Sequence, residues 1–236
     1  MLEIHDLHAG YGRTEVLHGV TMTIKSGTIV TMLGRNGAGK STTLKAITGL
    51  LKATSGSVTF DGKDITHAKP HKVARLGISH VREGHQIFPA LTVMENLSMG
   101  AFLRSGDENV QADLDRVISM FPVLRRKSNA RGASLSGGEQ QMLALAQGLM
   151  MSPRLLICDE PSLGLAPMVV QEIMDALLSL REGGITVLLV EQRVNHALAI
   201  SDHVYVLDDG AVRHEGPAAE VRESDVLLDS YLGSVQ

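Results

Sequence analysis

Short apolar segments bounded by turns open the chain. Residues 2–8 and 16–24 alternate apolar and polar positions, which is typical of strands with one buried face. The apolar run 28–33 predicts a more fully buried strand, and residues 42–51 after it have a helical pattern. TSGSVTFDGKDI at 54–65 predicts a short hairpin with Asp61-Gly62 as its turn. The first part of the chain therefore combines antiparallel strands with a strand–helix unit.

The pattern then changes twice. LGISHV at 76–81 predicts another strand, but residues from about 84 to 151 have helical periodicity without a strand-like run. Strand and helix patterns resume in LLICDEP, a helix near 167–181, ITVLLVE, a helix near 192–200 and VYVLDDG. We therefore predict one α/β domain over 1–236, with its core in 1–83 and 152–236 and a helical subdomain inserted at about 84–151.

Composition narrows the class of protein. The hydrophobic fraction of 44% is ample for a core, and 22 basic against 26 acidic residues give a formal charge of −4. This balance lacks the basic surface typical of nucleic-acid binders, so we expect no nucleic-acid partner. Cys158 is the single cysteine, which excludes an internal disulfide. No apolar run approaches the roughly 20 residues that span a bilayer, so another chain would supply any membrane part.

GRNGAGKST at 34–42 matches the phosphate-binding pattern G-x-x-x-x-G-K-[ST] between a predicted strand and helix. Glycines let successive backbone N–H groups face one anion, and the helix N-terminus adds positive potential. We expect Lys40 to reach the β- and γ-phosphates of ATP and the Ser41 hydroxyl to bind Mg²⁺. The alternative is a glycine-rich turn without a ligand. The predicted nucleotide-binding residues are Gly34, Arg35, Asn36, Gly37, Ala38, Gly39, Lys40, Ser41 and Thr42.

The run 155–160 is an apolar strand that ends in two carboxylates, Asp159 and Glu160. In P-loop enzymes an aspartate at such a strand end holds Mg²⁺, and Asp159 is assigned that role. The alternative is a polar strand end before the turn at Pro161.

LSGGEQQ at 135–141, together with the phosphate loop, resembles the signature of ABC-type ATPases, and the resemblance covers essentially the whole chain. It implies a P-loop ATPase with a RecA-like core, an antiparallel β subdomain and an inserted helical subdomain. It also implies that the signature binds the γ-phosphate of an ATP held by another subunit. The alternative is a serine N-cap opening an ordinary helix. The residues concerned are Ser136, Gly137 and Gly138, followed by Glu139 and Gln140.

Four further roles follow from this resemblance. Glu160 corresponds to the base that polarises the attacking water, and Tyr11 to the aromatic residue that stacks on adenine, although it is otherwise only a loop residue. Glu83 stands where the family usually has a glutamine, and it could ligate Mg²⁺ or accept a hydrogen bond from water. Gln192 stands at the position of the usual histidine, where an amide donates a hydrogen bond but carries no charge.

REGHQIFP, SLGLAP and VEQR resemble an ATP-binding subunit of bacterial branched-chain amino-acid importers, which is similar to that of urea and short-chain amide importers. The resemblance implies ATP, two membrane permeases, a second ATP-binding subunit in a hetero-pair and, indirectly, a periplasmic binding protein. It places the chain peripherally on the cytoplasmic face of the inner membrane. The rival functions are a soluble ABC ATPase acting as a mechanical switch and a non-catalytic regulatory nucleotide binder.

Methionines are frequent in the predicted helical part. We expect Met99, Met142, Met150 and Met151 to fill its core, where flexible thioethers adapt to irregular gaps. The alternative is that some of them line a groove for a permease helix.

Overall fold

A computed structural model describes residues 1–84 and 86–223. The strands in this part of the chain are Leu2–Tyr11 (β1), Thr14–Ile24 (β2), Ile29–Leu33 (β3), Ala53–Phe60 (β4), Lys63–Asp64 (β5), Ile78–Val81 (β6), Leu155–Asp159 (β7), Thr186–Glu191 (β8), His203–Asp208 (β9) and Ala211–Pro217 (β10). The α-helices are Lys40–Ile47 (α1), Pro70–Arg75 (α2), Val93–Gly100 (α3), Val110–Met120 (α4), Pro122–Arg126 (α5), Gly137–Leu149 (α6), Pro167–Glu182 (α7), Val194–Ile200 (α8) and Ala218–Arg222 (α9).

Two sheets organise the molecule. One is antiparallel with strand order β2-β1-β4-β5, and the other has the order β10-β9-β3-β8-β7-β6. In the second sheet β9, β3, β8, β7 and β6 are mutually parallel, and β10 pairs antiparallel with β9. The carboxyl ends of β3, β7 and β8 therefore lie side by side. In open α/β sheets that edge is where ligands bind.

Different elements pack against the two faces of the parallel sheet. On one face, Met32 and Val190 pack with Leu44 of α1 and with apolar residues of the antiparallel sheet. On the other face, Leu33 and Leu189 pack with α3 to α8. All residues of β3, β7 and β8 are buried, as expected for strands covered on both sides.

The expected α/β fold, with its antiparallel sheet and helical elements, is confirmed. Between β6 and β7 the described residues form α-helices α3 to α6 and two short 3₁₀ turns, without a further strand. The division into core and inserted helical subdomain stays a prediction, and its end at 224–236 lies outside the described residues. Within 1–84 and 86–223, no helix is long and apolar enough to cross a membrane.

The first helix differs from the prediction. The pattern placed it at 42–51, but α1 begins at Lys40 and ends at Ile47. It ends early because Gly49 takes a left-handed conformation with φ 72°, after which the Leu50 N–H donates back to the Lys45 carbonyl oxygen at 2.9 Å. Helices α2 and α9 and strand β10 have no counterpart among the predicted elements.

Candidate nucleotide-binding site

The loop between β3 and α1 depends on glycine. Gly37 has φ 85°, and Gly39, which precedes α1, has φ 103°. Residues with a side chain rarely adopt these left-handed conformations, and a Cβ on Gly39 would also lie 2.9 Å from the Leu17 side chain. The loop therefore delivers the chain directly to the N-terminus of α1, whose first N–H groups have no partner within the helix.

A cavity of about 480 Å³ opens at this helix start. Its wall combines the phosphate loop with residues from four distant parts of the chain, and it brings together most of the predicted site. The lining residues are Tyr11, Val16, Asn36, Gly37, Gly39, Lys40, Ser41, Thr42, Glu83, Glu160, Leu163 and Gln192.

Lys40 is held inside the loop that it follows. Its Nζ donates to the carbonyl oxygen of Gly34 at 2.7 Å and to that of Arg35 at 3.2 Å. The same Nζ lies 3.4 Å from Oε1 of Glu160, and the Lys40 side chain is only 5% exposed. A buried ammonium beside the cavity is well placed to bind an anion, because electrostatic attraction is stronger where water is excluded.

The carboxylate of Glu160 is linked to the amide of Gln192. Nε2 of Gln192 donates to both oxygens of Glu160, at 2.7 and 2.6 Å, and to Oδ1 of Asn36 at 2.7 Å. Gln192 thus joins the carboxyl ends of β7 and β8 to the phosphate loop. Motif matching placed Glu160 and Gln192 in one site, but Asn36 as the third member of this network has no separate signal in the sequence.

The backbone at Glu160 is unusual. Its φ of 48° is uncommon for a residue with a side chain. Its N–H still donates to the Val190 carbonyl oxygen at 2.9 Å, and its own carbonyl accepts from Leu163 N–H at 3.2 Å. These two backbone hydrogen bonds therefore stabilise a disfavoured conformation at the strand end, which is a common feature of functional sites.

Asp159 lies next to the cavity and is 7% exposed. Its Oδ1 is buried and has no hydrogen-bond partner in the structure. Burial, reinforced by the carboxylates of Glu160 and Glu83, raises the pKa of Asp159 to about 6, and Lys40 partly opposes this rise. A buried carboxylate oxygen without a donor, among other carboxylates, is the arrangement that a bound cation would satisfy.

Tyr11 and Glu83 stand on the open rim of the cavity. The Tyr11 ring is 46% exposed, its hydroxyl accepts a hydrogen bond from Lys45 Nζ at 3.1 Å, and that ammonium lies 5.4 Å from the ring centre. Glu83 lines this cavity, whereas Gln86, three residues later, lines a different groove. The carboxylate, and not the nearby glutamine, is therefore the residue of this loop that faces the phosphate loop.

The signature segment lies elsewhere. Ser136 caps α6 through a capping box, in which Glu139 N–H donates to the Ser136 hydroxyl at 3.3 Å and the Glu139 carboxylate accepts from Ser136 N–H at 2.9 Å. Glu139 also pairs with Lys127, and Gln140 donates to the carbonyl oxygens of Gly132 and Leu135. None of Ser136, Gly137, Gly138, Glu139 and Gln140 lines the cavity at the phosphate loop. The predicted helix cap is thus present, and it does not exclude a second role.

The family model for ABC transporters matches residues 17–163, which includes the phosphate loop, both strand-end carboxylates and the signature. The chain belongs to the ABC transporter family. It is an ABC-type ATPase and binds nucleotide, and the expected fold and family are confirmed.

Curated relatives of this ABC ATPase match over almost its entire length. The high-affinity branched-chain amino acid transport ATP-binding protein BraG of Pseudomonas aeruginosa is 42% identical over 99% of this chain and 100% of its own. The probable branched-chain amino acid transport ATP-binding protein LivF of Archaeoglobus fulgidus is 40% identical over the full length of both. BraF, a second such protein of Pseudomonas aeruginosa, is 30% identical over 99% of this chain and 98% of its own.

A solved structure gives the same fold. It is the dimeric, post-hydrolysis state of an ATP-binding cassette bound to ADP and phosphate, with a TM-score of 0.81 and 28% identity. The match covers 92% of this chain and 99% of that one.

Proposed function

We propose that this chain is the ATP-hydrolysing subunit of a membrane importer for branched-chain amino acids. The observation that carries the catalytic part is the meeting of Lys40, Glu160 and Gln192 at one cavity, with contacts of 2.6 to 3.4 Å. The relatives named for branched-chain amino-acid transport support this assignment of the transported solute, because they match this chain from end to end at 40% and 42% identity.

The proposed reaction is transfer of the γ-phosphoryl group of ATP to water, giving ADP and phosphate. The phosphate loop and Lys40 bind the phosphates, Tyr11 stacks on adenine, and Glu160 accepts the proton of the attacking water. Gln192 donates a hydrogen bond to a γ-phosphate oxygen and holds Glu160 in place through its present contact. A positioned general base typically contributes 10²–10⁴ in rate, and the remainder comes from positioning and charge stabilisation.

The residues present fit a Mg²⁺ ion. Ser41 and Glu83 line the cavity, and Asp159 beside it offers a buried oxygen without a donor. When bound, Mg²⁺ neutralises charge on the β- and γ-phosphates. Ser41, Asp159 and Glu83 are the proposed metal residues, and binding of the ion would lower the raised pKa of Asp159.

The proposed partners follow from two features. The signature lies apart from this chain's own nucleotide cavity. This supports a second ATP-binding subunit, whose bound ATP the signature would contact. Pseudomonas aeruginosa has two different such proteins named for one kind of transport, BraG and BraF, which supports a hetero-pair. A periplasmic binding protein would deliver the amino acid, and the chain would act on the cytoplasmic face of the inner membrane.

A groove of about 530 Å³ is the proposed site for a permease. It exposes large apolar side chains, with Phe102 72% and Phe88 44% exposed. Such patches mark interaction sites in soluble domains. Met142 and Met150 are buried in the core as expected, whereas the core prediction is wrong for Met99, which is 42% exposed and lines the groove with Met151. This position supports the alternative role of these methionines at a permease helix.

Glu160→Gln in the complex tests the catalytic assignment. The amide cannot accept the proton, so we expect hydrolysis at this chain's site to fall at least 100-fold while ATP binding persists, which traps ATP-bound pairs. The complex, purified from membranes through a tag on this chain, should lose at least half of its ATPase activity. An unchanged rate would contradict the role of Glu160.

Two measurements test the biological setting. A tag on this chain should recover membrane permeases from solubilised membranes, and recovery without them would favour a soluble mechanical switch. Deletion of the gene should abolish uptake of labelled leucine, isoleucine or valine. Loss of urea uptake with intact leucine uptake would assign the subunit to a urea importer.

A further inference from the structure

Glu191, the last residue of β8, is a buried carboxylate to which no role has yet been given. It is 2% exposed and does not line the nucleotide cavity. Burial raises the pKa of Glu191, while hydrogen bonds from its neighbours oppose the rise. Placing a carboxylate in a sheet interior is unfavourable unless donors satisfy its oxygens. The position of those donors therefore indicates what the group is for.

The donors come from both loops of the proposed catalytic pair. Oε1 of Glu191 accepts from the backbone N–H of Ser162 at 3.1 Å, and Oε2 accepts from the backbone N–H of Gln192 at 3.2 Å. Ser162 follows Glu160 by two residues and is itself 1% exposed. One carboxylate thus holds the turn after the proposed base and the main chain of the glutamine that contacts it.

The same two loops are also joined through their side chains. The Gln192 amide reaches both oxygens of Glu160 at 2.6 and 2.7 Å. That contact requires the two backbones to keep a fixed separation, since the side chains approach at hydrogen-bond distance. Misplacement of a catalytic group by about 1 Å can cost 10²-fold in rate.

We propose that Glu191 is a positioning residue, whose carboxylate holds the loops after β7 and β8 so that Gln192 fixes Glu160 for attack on ATP. The inference rests on the proposed roles of Glu160 and Gln192. The hydrogen bonds described for its carboxylate go to Ser162 and Gln192 and not to the phosphate loop. The backbone of Glu191 does pair beside that loop, in register with Leu33. A change confined to the Glu191 side chain leaves that pairing and the contacts of Lys40 in place, so we expect it to affect turnover more than nucleotide affinity.

Glu191→Gln is the most informative substitution. Glutamine has nearly the same shape, but one oxygen becomes an NH₂ group that cannot accept a hydrogen bond. One of the two loop contacts is therefore lost and replaced by two opposed donors. Glu182→Gln is the matched control, because Glu182 is an exposed glutamate at the end of α7.

The experiment is a double-mutant cycle on the membrane complex. ATPase rates at saturating ATP are measured for Glu191→Gln, Gln192→Ala and the double variant, after subtraction of the rate that remains in Glu160→Gln. We expect Glu191→Gln to lower kcat about 10- to 100-fold with KM changed less than about threefold, and Glu182→Gln to change neither. In the Gln192→Ala background, Glu191→Gln should have less than a twofold further effect, because the two residues act as one unit.

Three results would overturn the proposal. One is a wild-type kcat for Glu191→Gln while Gln192→Ala is impaired. Another is a double variant whose loss of kcat equals the product of the two single losses, which would show that the two residues act independently. The third is loss of nucleotide binding or of the folded state in Glu191→Gln, measured by fluorescent ATP and thermal unfolding, which would assign Glu191 to sheet stability. A wild-type rate in Glu160→Gln would instead show that the proposed function itself is wrong.

Discussion

The two helix N-termini that carry glycine-rich motifs, at α1 and α6, have different surroundings. At α1 the loop is surrounded by groups from other strands, and Lys40 is 5% exposed within contact of Glu160. At α6, Ser136 and Gly137 are exposed, and the contacts of Ser136 serve its own helix through the capping box. Among the described residues, the proposed catalytic side chains surround the first motif, and the second lies outside their cavity.

From this difference we infer that one chain alone does not form a complete catalytic site. Both motifs place small residues at a helix N-terminus, an arrangement that favours anion binding in general. The residues of the cavity surround only the first, whereas the second exposes Ser136 and Gly137. We infer that the signature is the half-site for a phosphate held by another chain. The following predictions test this asymmetry.

Lys40→Ala should have the largest effect. It removes a buried ammonium from the phosphate loop, and charged hydrogen bonds of this kind contribute about 1.5–3 kcal/mol each. We expect affinity of the purified chain for a fluorescent ATP analogue to fall about 100-fold. Lys52→Ala, at an exposed position outside the cavity, is the control and should bind normally. Normal binding by Lys40→Ala would refute the assignment of the first half-site.

Ser136→Asp should impair the second half-site and leave the first intact. Aspartate is a good helix N-cap, so α6 stays capped, but its negative charge would repel the partner's γ-phosphate. We expect the complex to lose at least half of its ATPase activity, and less than about 1% to remain when Glu160→Gln is added. Nucleotide affinity of the isolated chain should change less than twofold.

Ser136→Asn is the neutral counterpart that also caps helices well. It should retain most of the activity that Ser136→Asp loses. Wild-type activity in Ser136→Asp would show that Ser136 only caps α6.

The smallest expected effect is on the stability of the nucleotide-free chain, which Asp159→Asn should increase. The folded pKa of about 6 lies above the ordinary value of 3.8, so the ionised form destabilises the nucleotide-free protein above pH 6. Removing that charge should raise Tm at pH 7.5 by several degrees, which corresponds to about 1–3 kcal/mol in the free energy of unfolding. The gain should vanish near pH 4, where the wild-type carboxyl is protonated in the fold. A lower Tm for the variant at pH 7.5 would contradict this account.

Local patterns predicted the parts of the site that a short segment can specify. The phosphate loop follows from glycine spacing, and the strand end at Asp159 from an apolar run that stops in carboxylates. The contact of Gln192 with Asn36 joins positions 156 residues apart in sequence, so no local pattern contains it. The contact of Glu191 with Ser162 escaped for the same reason, because it joins positions 29 residues apart through the parallel pairing of β7 with β8. The early end of α1 was missed because apolar Leu50 and Leu51 extend the helical pattern past Gly49, whose left-handed conformation ends the helix.

The most direct test of the central claim is the dependence of turnover on the concentration of the chain. ATPase activity per chain is measured at saturating Mg²⁺ and ATP over a dilution series, with the mass of the species followed by sedimentation, and with the partner subunit added in a parallel series. The account predicts activity that appears only with the paired species and disappears on dilution to monomers. Constant activity per chain in a strictly monomeric sample would contradict it.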